Sequence, residues 1–178
     1  MSVTKTGYAE VMPGQNARYT LKDIANTSNV TLGNFYWRDT LPVESVRLAR
    51  IITGTWNVQG SYKLIYRTNL SGNDYRTLAD NLSTRQNYTL DASPVALRLA
   101  SNEYVTEVMA VFGTVPAGFR QVEQTQIDCT VVSWAVGGAQ FANQADVGGT
   151  YNGVWVQATS RWVTKVYAPA KPLPRTGY

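Results

Sequence analysis

Apolar residues recur at every second position along much of this chain, and that period excludes most folds other than sheets. Ala17, Tyr19 and Leu21 alternate with Arg18, Thr20 and Lys22, and Tyr62, Leu64 and Tyr66 alternate with Lys63, Ile65 and Arg67. Successive side chains of a strand point to opposite faces, so each such stretch lays one face on a core and turns the other to water. Val154, Val156, Ala158 and residues 163–167 continue the pattern, and residues 34–39, 46–53, 104–112, 126–135 and 139–143 are rich in β-branched and aromatic side chains. Turn signals divide these runs: Pro13-Gly14, Ser71-Gly72-Asn73-Asp74, Pro116-Ala117-Gly118, Gly137-Gly138 and Gly148-Gly149. Many short strands with regular punctuation predict an all-β fold, a sandwich or a barrel. Residues 94–100 read as one or two helical turns between strands, too few for an independent helix.

Composition narrows the chemistry. Charged residues make up 16% of the chain, and its +4 net charge comes from scattered cations with no run of three Lys or Arg. That pattern offers no electrostatic footprint for nucleic acid. Histidine is absent and Cys129 is the one cysteine. A Ser-His-Asp or Cys-His centre is therefore impossible, as is an intrachain disulfide, and no metal or cofactor is expected. Cys129 lies in an apolar run and reads as a small core residue. Nothing marks a carboxylate pair for hydrolysis, so the chain is not read as an enzyme.

Composition changes after Tyr167. Residues 168–174 carry three prolines in seven positions, which favours an extended, disordered tail without a core. The expected organisation is one β-sandwich domain over residues 1–168 and a Pro-rich tail over 169–178. Two abutting sandwiches, joined near residues 82–93, are the alternative. No apolar leader precedes Val3, so the chain reads as a piece of a longer precursor.

The tail ends Leu173-Pro174-Arg175-Thr176-Gly177-Tyr178. Leu-Pro-any-Thr-Gly resembles the LPXTG recognition sequence of sortases, the transpeptidases of Gram-positive bacteria. The resemblance implies that Leu173 and Pro174 give shape recognition and that Arg175 fills the tolerant position. Thr176 would supply the carbonyl attacked by the enzyme's cysteine, and Gly177 the leaving amine. Sortase would then be a partner, and peptidoglycan a covalent one through Thr176. The apolar helix and basic tail of the full signal do not follow here.

Residues 3–42 contain Val3-Thr4-Lys5-Thr6, Pro13-Gly14, Tyr19-Thr20-Leu21, Asn26-Thr27-Ser28-Asn29 and Trp37-Arg38-Asp39-Thr40-Leu41-Pro42. This series resembles the DUF11-type repeat domains of bacterial surface proteins. It implies an immunoglobulin-like antiparallel β-sandwich, and the greater length of this chain leaves a jelly-roll-like strand order open. Many such domains are stapled by an isopeptide bond from Lys to Asn or Asp, formed beside a carboxyl group in an apolar core. By that resemblance Lys5 and Asp39 are two members of a trio, and Asn143, Asp146 and Asn152 are candidates for the third. None of these three sits on the last strand, 161–167, where the acceptor usually lies. The alternative is an exposed strand lysine and a turn aspartate.

Trp56 with Asn57, and Tyr151 with Asn152 and Trp155, are candidates for a ligand site near loops, since sugars are held by aromatic faces beside amides. Core packing is the commoner role of Trp in a sandwich. The reading that collects these signals is a structural or stalk module of a cell-wall-anchored, extracellular bacterial surface protein. The alternative is an adhesin-type domain that binds a host protein or glycan. No motif of a polymerising pilin is present.

Overall fold

The computed structural model describes residues 1–169, and these form strands joined by turns. In chain order the strands are β1 (Ser2–Thr6), β2 (Glu10–Val11), β3 (Asn16–Ala25), β4 (Leu32–Thr40), β5 (Val46–Ile52), β6 (Thr55–Trp56) and β7 (Ser61–Thr68). They continue with β8 (Arg76–Ser83), β9 (Thr89–Asp91), β10 (Val105–Val115), β11 (Gln121–Glu123), β12 (Thr125–Val131), β13 (Gln140–Tyr151) and β14 (Val154–Val166). A five-stranded sheet, ordered β1-β3-β12-β5-β9, faces a seven-stranded sheet, ordered β2-β14-β13-β4-β10-β7-β8. A small ribbon of β6 and β11 lies beside them. Among the described residues every strand pairing is antiparallel except the short parallel contact of β2 with β14. The fold is therefore the expected all-β sandwich, and both sheets draw strands from the two halves of the chain.

The alternation in the sequence is the alternation in the structure. Ala17, Tyr19 and Leu21 of β3, Ile127 and Cys129 of β12, and Tyr62, Leu64 and Tyr66 of β7 all point into the core. They meet Phe35 and Trp37 of β4, Val108 and Ala110 of β10, and Ala145 and Val147 of β13. Cys129 is buried and its thiol is pushed well above its usual range by desolvation, as an inert core residue requires. Residues 94–100 form hydrogen-bonded turns, with Leu97 N–H donating to Ser93 O (3.0 Å) and Leu99 N–H to Pro94 O (2.9 Å).

Two expectations are corrected. Gly148-Gly149 is not a turn but lies inside β13, which runs unbroken from Gln140 to Tyr151. Its glycines serve close packing: a Cβ on Gly148 would lie 2.5 Å from the Tyr36 ring, and one on Gly149 would lie 3.1 Å from Gly33 O. The true turn is Asn152-Gly153, whose φ angles of 49° and 75° define a tight two-residue hairpin. The second correction concerns β14. Its apolar residues do not form a buried stripe, because Val154, Trp155, Val156 and Val163 are exposed. β14 lies near the edge of its sheet, where β2 covers it only at Lys165 and Val166.

Candidate functional site

Three polar residues interrupt the inward-facing stripes of three different strands. Val3 and Lys5 share a face of β1, and the Lys5 side chain is fully buried. Its backbone N–H donates to Ser160 Oγ on β14 at 2.9 Å, which holds β1 against the opposite sheet. Asp39 follows Phe35 and Trp37 on the inner face of β4 and is likewise fully buried. Asn143 follows Phe141 on the inner face of β13 and is 0% exposed. The β4–β13 register sets Ala145 opposite Asp39, so Asn143 lies diagonally across from Asp39 on the same face.

The Lys5 ammonium donates to Asp39 Oδ2 and stands 4.9 Å from the centre of the Tyr19 ring. Burial raises the pKa of Asp39 above the ordinary carboxylate range, although the Lys5 charge and the Lys5 and Asn143 side chains pull it down. Tyr19 is also raised by burial, with smaller effects from Cys129, Thr164, Asp39 and Asn143. Asn143 thus touches the field of both Asp39 and Tyr19, yet neither atom of its amide completes a hydrogen bond. Asp39 Oδ1 and the Tyr19 hydroxyl are unpartnered too. Each such orphan costs about 1–3 kcal/mol, so a cluster of them at one point calls for a chemical reason.

The arrangement can form an amide between Lys5 and Asn143. Transfer of the ammonium proton to the buried Asp39 carboxylate removes both charges from the core and frees the amine lone pair. The amine attacks Cγ of Asn143, and the protonated carboxyl stabilises the developing oxyanion. The Cγ–Nδ2 bond breaks, and a second proton from the former amine leaves with the amide nitrogen as ammonia. Asp39 keeps the first proton and ends as the neutral carboxyl, so no net charge is left in the core. The product relieves the Asp39 and Asn143 orphans: Nδ2 has gone, and the new carbonyl can accept a hydrogen bond from the protonated form of Asp39.

The other candidates for the third position do not reach this point. Asp146 is on the opposite face of β13, where it accepts hydrogen bonds from Arg38 (3.0 Å), Thr159 (2.7 Å) and Gln144 (3.2 Å). Burial pushes its pKa up, but the Thr159 and Arg38 contacts outweigh that and hold it low. Asn152 is an exposed residue of the β13–β14 turn. Glu107 of β10, a further buried carboxylate, accepts instead from Arg67 at 2.8 Å and from Tyr75.

The ligand candidates divide. Trp56 is 1% exposed and cannot face a ligand, because it is packed among Tyr62, Phe112 and Phe119. Asn57 joins two loops, donating to Gly118 O at 3.1 Å and accepting from Arg120 N–H at 2.8 Å. Tyr151 and Trp155 do stand exposed, one on each strand of the β13–β14 hairpin, and the Trp155 ring meets Tyr36 edge-on with centroids 6.2 Å apart. Leu173, Pro174, Arg175, Thr176 and Gly177 lie outside the described residues. Tyr19 and Ser160 were not marked in the sequence: one reads as an ordinary core aromatic and the other as a surface serine. Among the described residues no group of three or more His, Cys, Asp or Glu could hold a metal.

No family model matches this chain, and no curated protein matches it. Among solved structures it is similar to the cohesin module from a Clostridium perfringens family 33 glycoside hydrolase, at 11% identity and a TM-score of 0.46, covering 93% of this chain and 96% of that one. It is also similar to BcpA, the major pilin subunit of Bacillus cereus, at 15% identity and a TM-score of 0.46, covering 93% of this chain and 40% of that one. A third is ACE19, the collagen-binding subdomain of the Enterococcus faecalis surface protein ACE, at 11% identity and a TM-score of 0.41, covering 93% and 96%. Likeness at this level carries no argument about what this chain does.

Proposed function

We propose that this chain is a stalk module of a bacterial surface protein, stapled internally by a Lys5–Asn143 isopeptide bond and fixed to the cell wall through Thr176. The observation that carries the reading is the burial of Lys5, Asp39 and Asn143 together, with the Asn143 amide unpartnered. A buried ion pair alone is weak support for stability, since desolvation offsets most of its attraction. A cross-link from β1 to β13 joins the two sheets covalently and does for this domain what a disulfide does elsewhere. The Leu173–Gly177 motif supplies the attachment, with Asp39 as proton carrier within the fold and no cofactor required.

Intact mass spectrometry of the purified chain tests the staple. The expected mass is lower than the sequence mass by one ammonia, with a Lys5–Asn143 branched peptide after digestion. The full sequence mass refutes it. Anchorage is tested separately with a purified sortase and an oligoglycine amine. Ligation of the wild type and none of Thr176→Ala supports it, and no ligation with sortases of several classes refutes it.

The exposure of Trp155 and Tyr151 beside Tyr36 favours a second reading, an adhesin domain whose hairpin engages a host protein or glycan. A glycan array and a panel of matrix proteins, probed with wild type and Trp155→Ala, decide it. Retention that the substitution abolishes supports binding, and no retention leaves the stalk.

A further inference from the structure

The described chain enters and leaves the sandwich at opposite ends. At one end the Met1 amine donates to Thr27, and Ser2 pairs with Ala25, the last residue of β3. At the other end Tyr167 N–H donates to Val11 O at 2.8 Å, and Gly14 N–H donates to Val131 O beside the start of β3. Tension on a stalk therefore runs along the strands. Without a cross-link it would act on each strand in turn. With Lys5 joined to Asn143, a bond on which this inference rests, load passes from β1 straight into β13, and residues 6–142 lie off the line of force.

β13 is not the exit strand, however. From Asn143 the chain continues to Tyr151, turns at Asn152-Gly153, and returns along β14 before it leaves. We infer that, among the described residues, the β13–β14 hairpin is the force-bearing and main extensible element of the bonded module, a short tether whose travel the cross-link limits. Asn143 faces Trp162, close to the exit. Load on the two points pulls antiparallel strands in opposite directions along their axes, so the rungs from Asn143↔Trp162 to Tyr151↔Val154 resist together in shear. Shear of the whole ladder demands far more force than opening its rungs one by one. The outer strand suits the role over its first part: Val154, Trp155 and Val156 are exposed, so displacing that part removes little from the core, while buried Thr164 and Val166 hold the strand near the exit. The strands within residues 6–142 stay held in the closed covalent loop, which leaves a template for the hairpin to re-dock.

Single-molecule pulling of the full chain, with handles at its two ends, reads the prediction directly. Residues 144–167 extend to roughly 80 Å at about 3.4 Å per residue, and they already span about 15 Å when folded, so the bonded module should lengthen by about 65 Å. The unbonded variant Asn143→Ala should lengthen by about 500 Å, nearly eightfold more. The mass of the pulled sample is measured first. A full mass overturns both the staple and this inference. An ammonia-deficient mass with a step far above 65 Å, or with no step before the handles detach, overturns the inference and leaves the staple standing. If Asn143→Ala does not fold, the step length of the mass-verified wild type decides alone.

Discussion

Replacing Asn143 with Ala removes the acceptor while it keeps the Lys5–Asp39 pair, and the cost follows from the size of the covalent loop. Lys5 and Asn143 lie in strands β1 and β13, so their bond closes almost the whole domain into one ring. For a loop of roughly 140 residues the lost conformational entropy of the unfolded chain is worth about 5 kcal/mol at 25 °C. Unfolding entropy of about 2.1 cal/mol/K per residue over roughly 165 residues gives about 0.35 kcal/mol/K, so the variant should melt about 14 °C lower. Two further readouts separate this from a packing defect. The variant should show the full calculated mass for its sequence, and its urea m-value should rise, because an unlinked chain exposes more surface when it unfolds. Calorimetry or circular dichroism with matched mass spectra provides the assay. A melting point lowered by less than about 4 °C, in a variant that has lost the ammonia deficit of the wild type, would refute the entropic reasoning.

Asp39→Asn should also show its full calculated mass, since no group remains to carry the proton, and it should be less stable than Asn143→Ala by about 3–5 kcal/mol because Lys5 is left buried without a counter-charge; denaturant titration of the two variants measures the difference. Gly148→Ala places a Cβ 2.5 Å from the Tyr36 ring, and displacing that ring from the β13 backbone should cost about 1–3 kcal/mol by thermal melting. Hydrogen bonds from Thr68, then Arg76, lower the pKa of Glu103 to about 2. A lowered carboxylate pKa stabilises the fold above the unfolded value, near 4.3, and that contribution is lost as pH falls toward the folded value. Melting curves between pH 5 and about 2 should therefore decline less steeply for Glu103→Gln than for wild type.

The inward stripes were legible residue by residue. Tyr19 and Leu21, or Tyr62, Leu64 and Tyr66, declare a buried face without any knowledge of their partners, because a strand's period of two is a local property. The same stripes carry a sign of the site. Lys5 after Val3, Asp39 after Trp37 and Asn143 after Phe141 are polar residues where an apolar one belongs. The hairpin at Asn152-Gly153 is also written in the sequence, as the most favoured tight-turn dipeptide, but the neighbouring Gly148-Gly149 carries a competing turn signal.

What the sequence determined by itself was an all-β chain with a buried cysteine, without histidine chemistry, and with a tail of composition unlike its body. Only the tertiary structure decided which of Asn143, Asp146 and Asn152 stands beside Lys5 and Asp39. The period of two places Asn143 and Asp146 on opposite faces of one strand, but which face looks inward depends on the register of β13 against β4 and on the sheet stacked above them. Those are contacts between residues about a hundred positions apart, and a single sequence carries no local term for them.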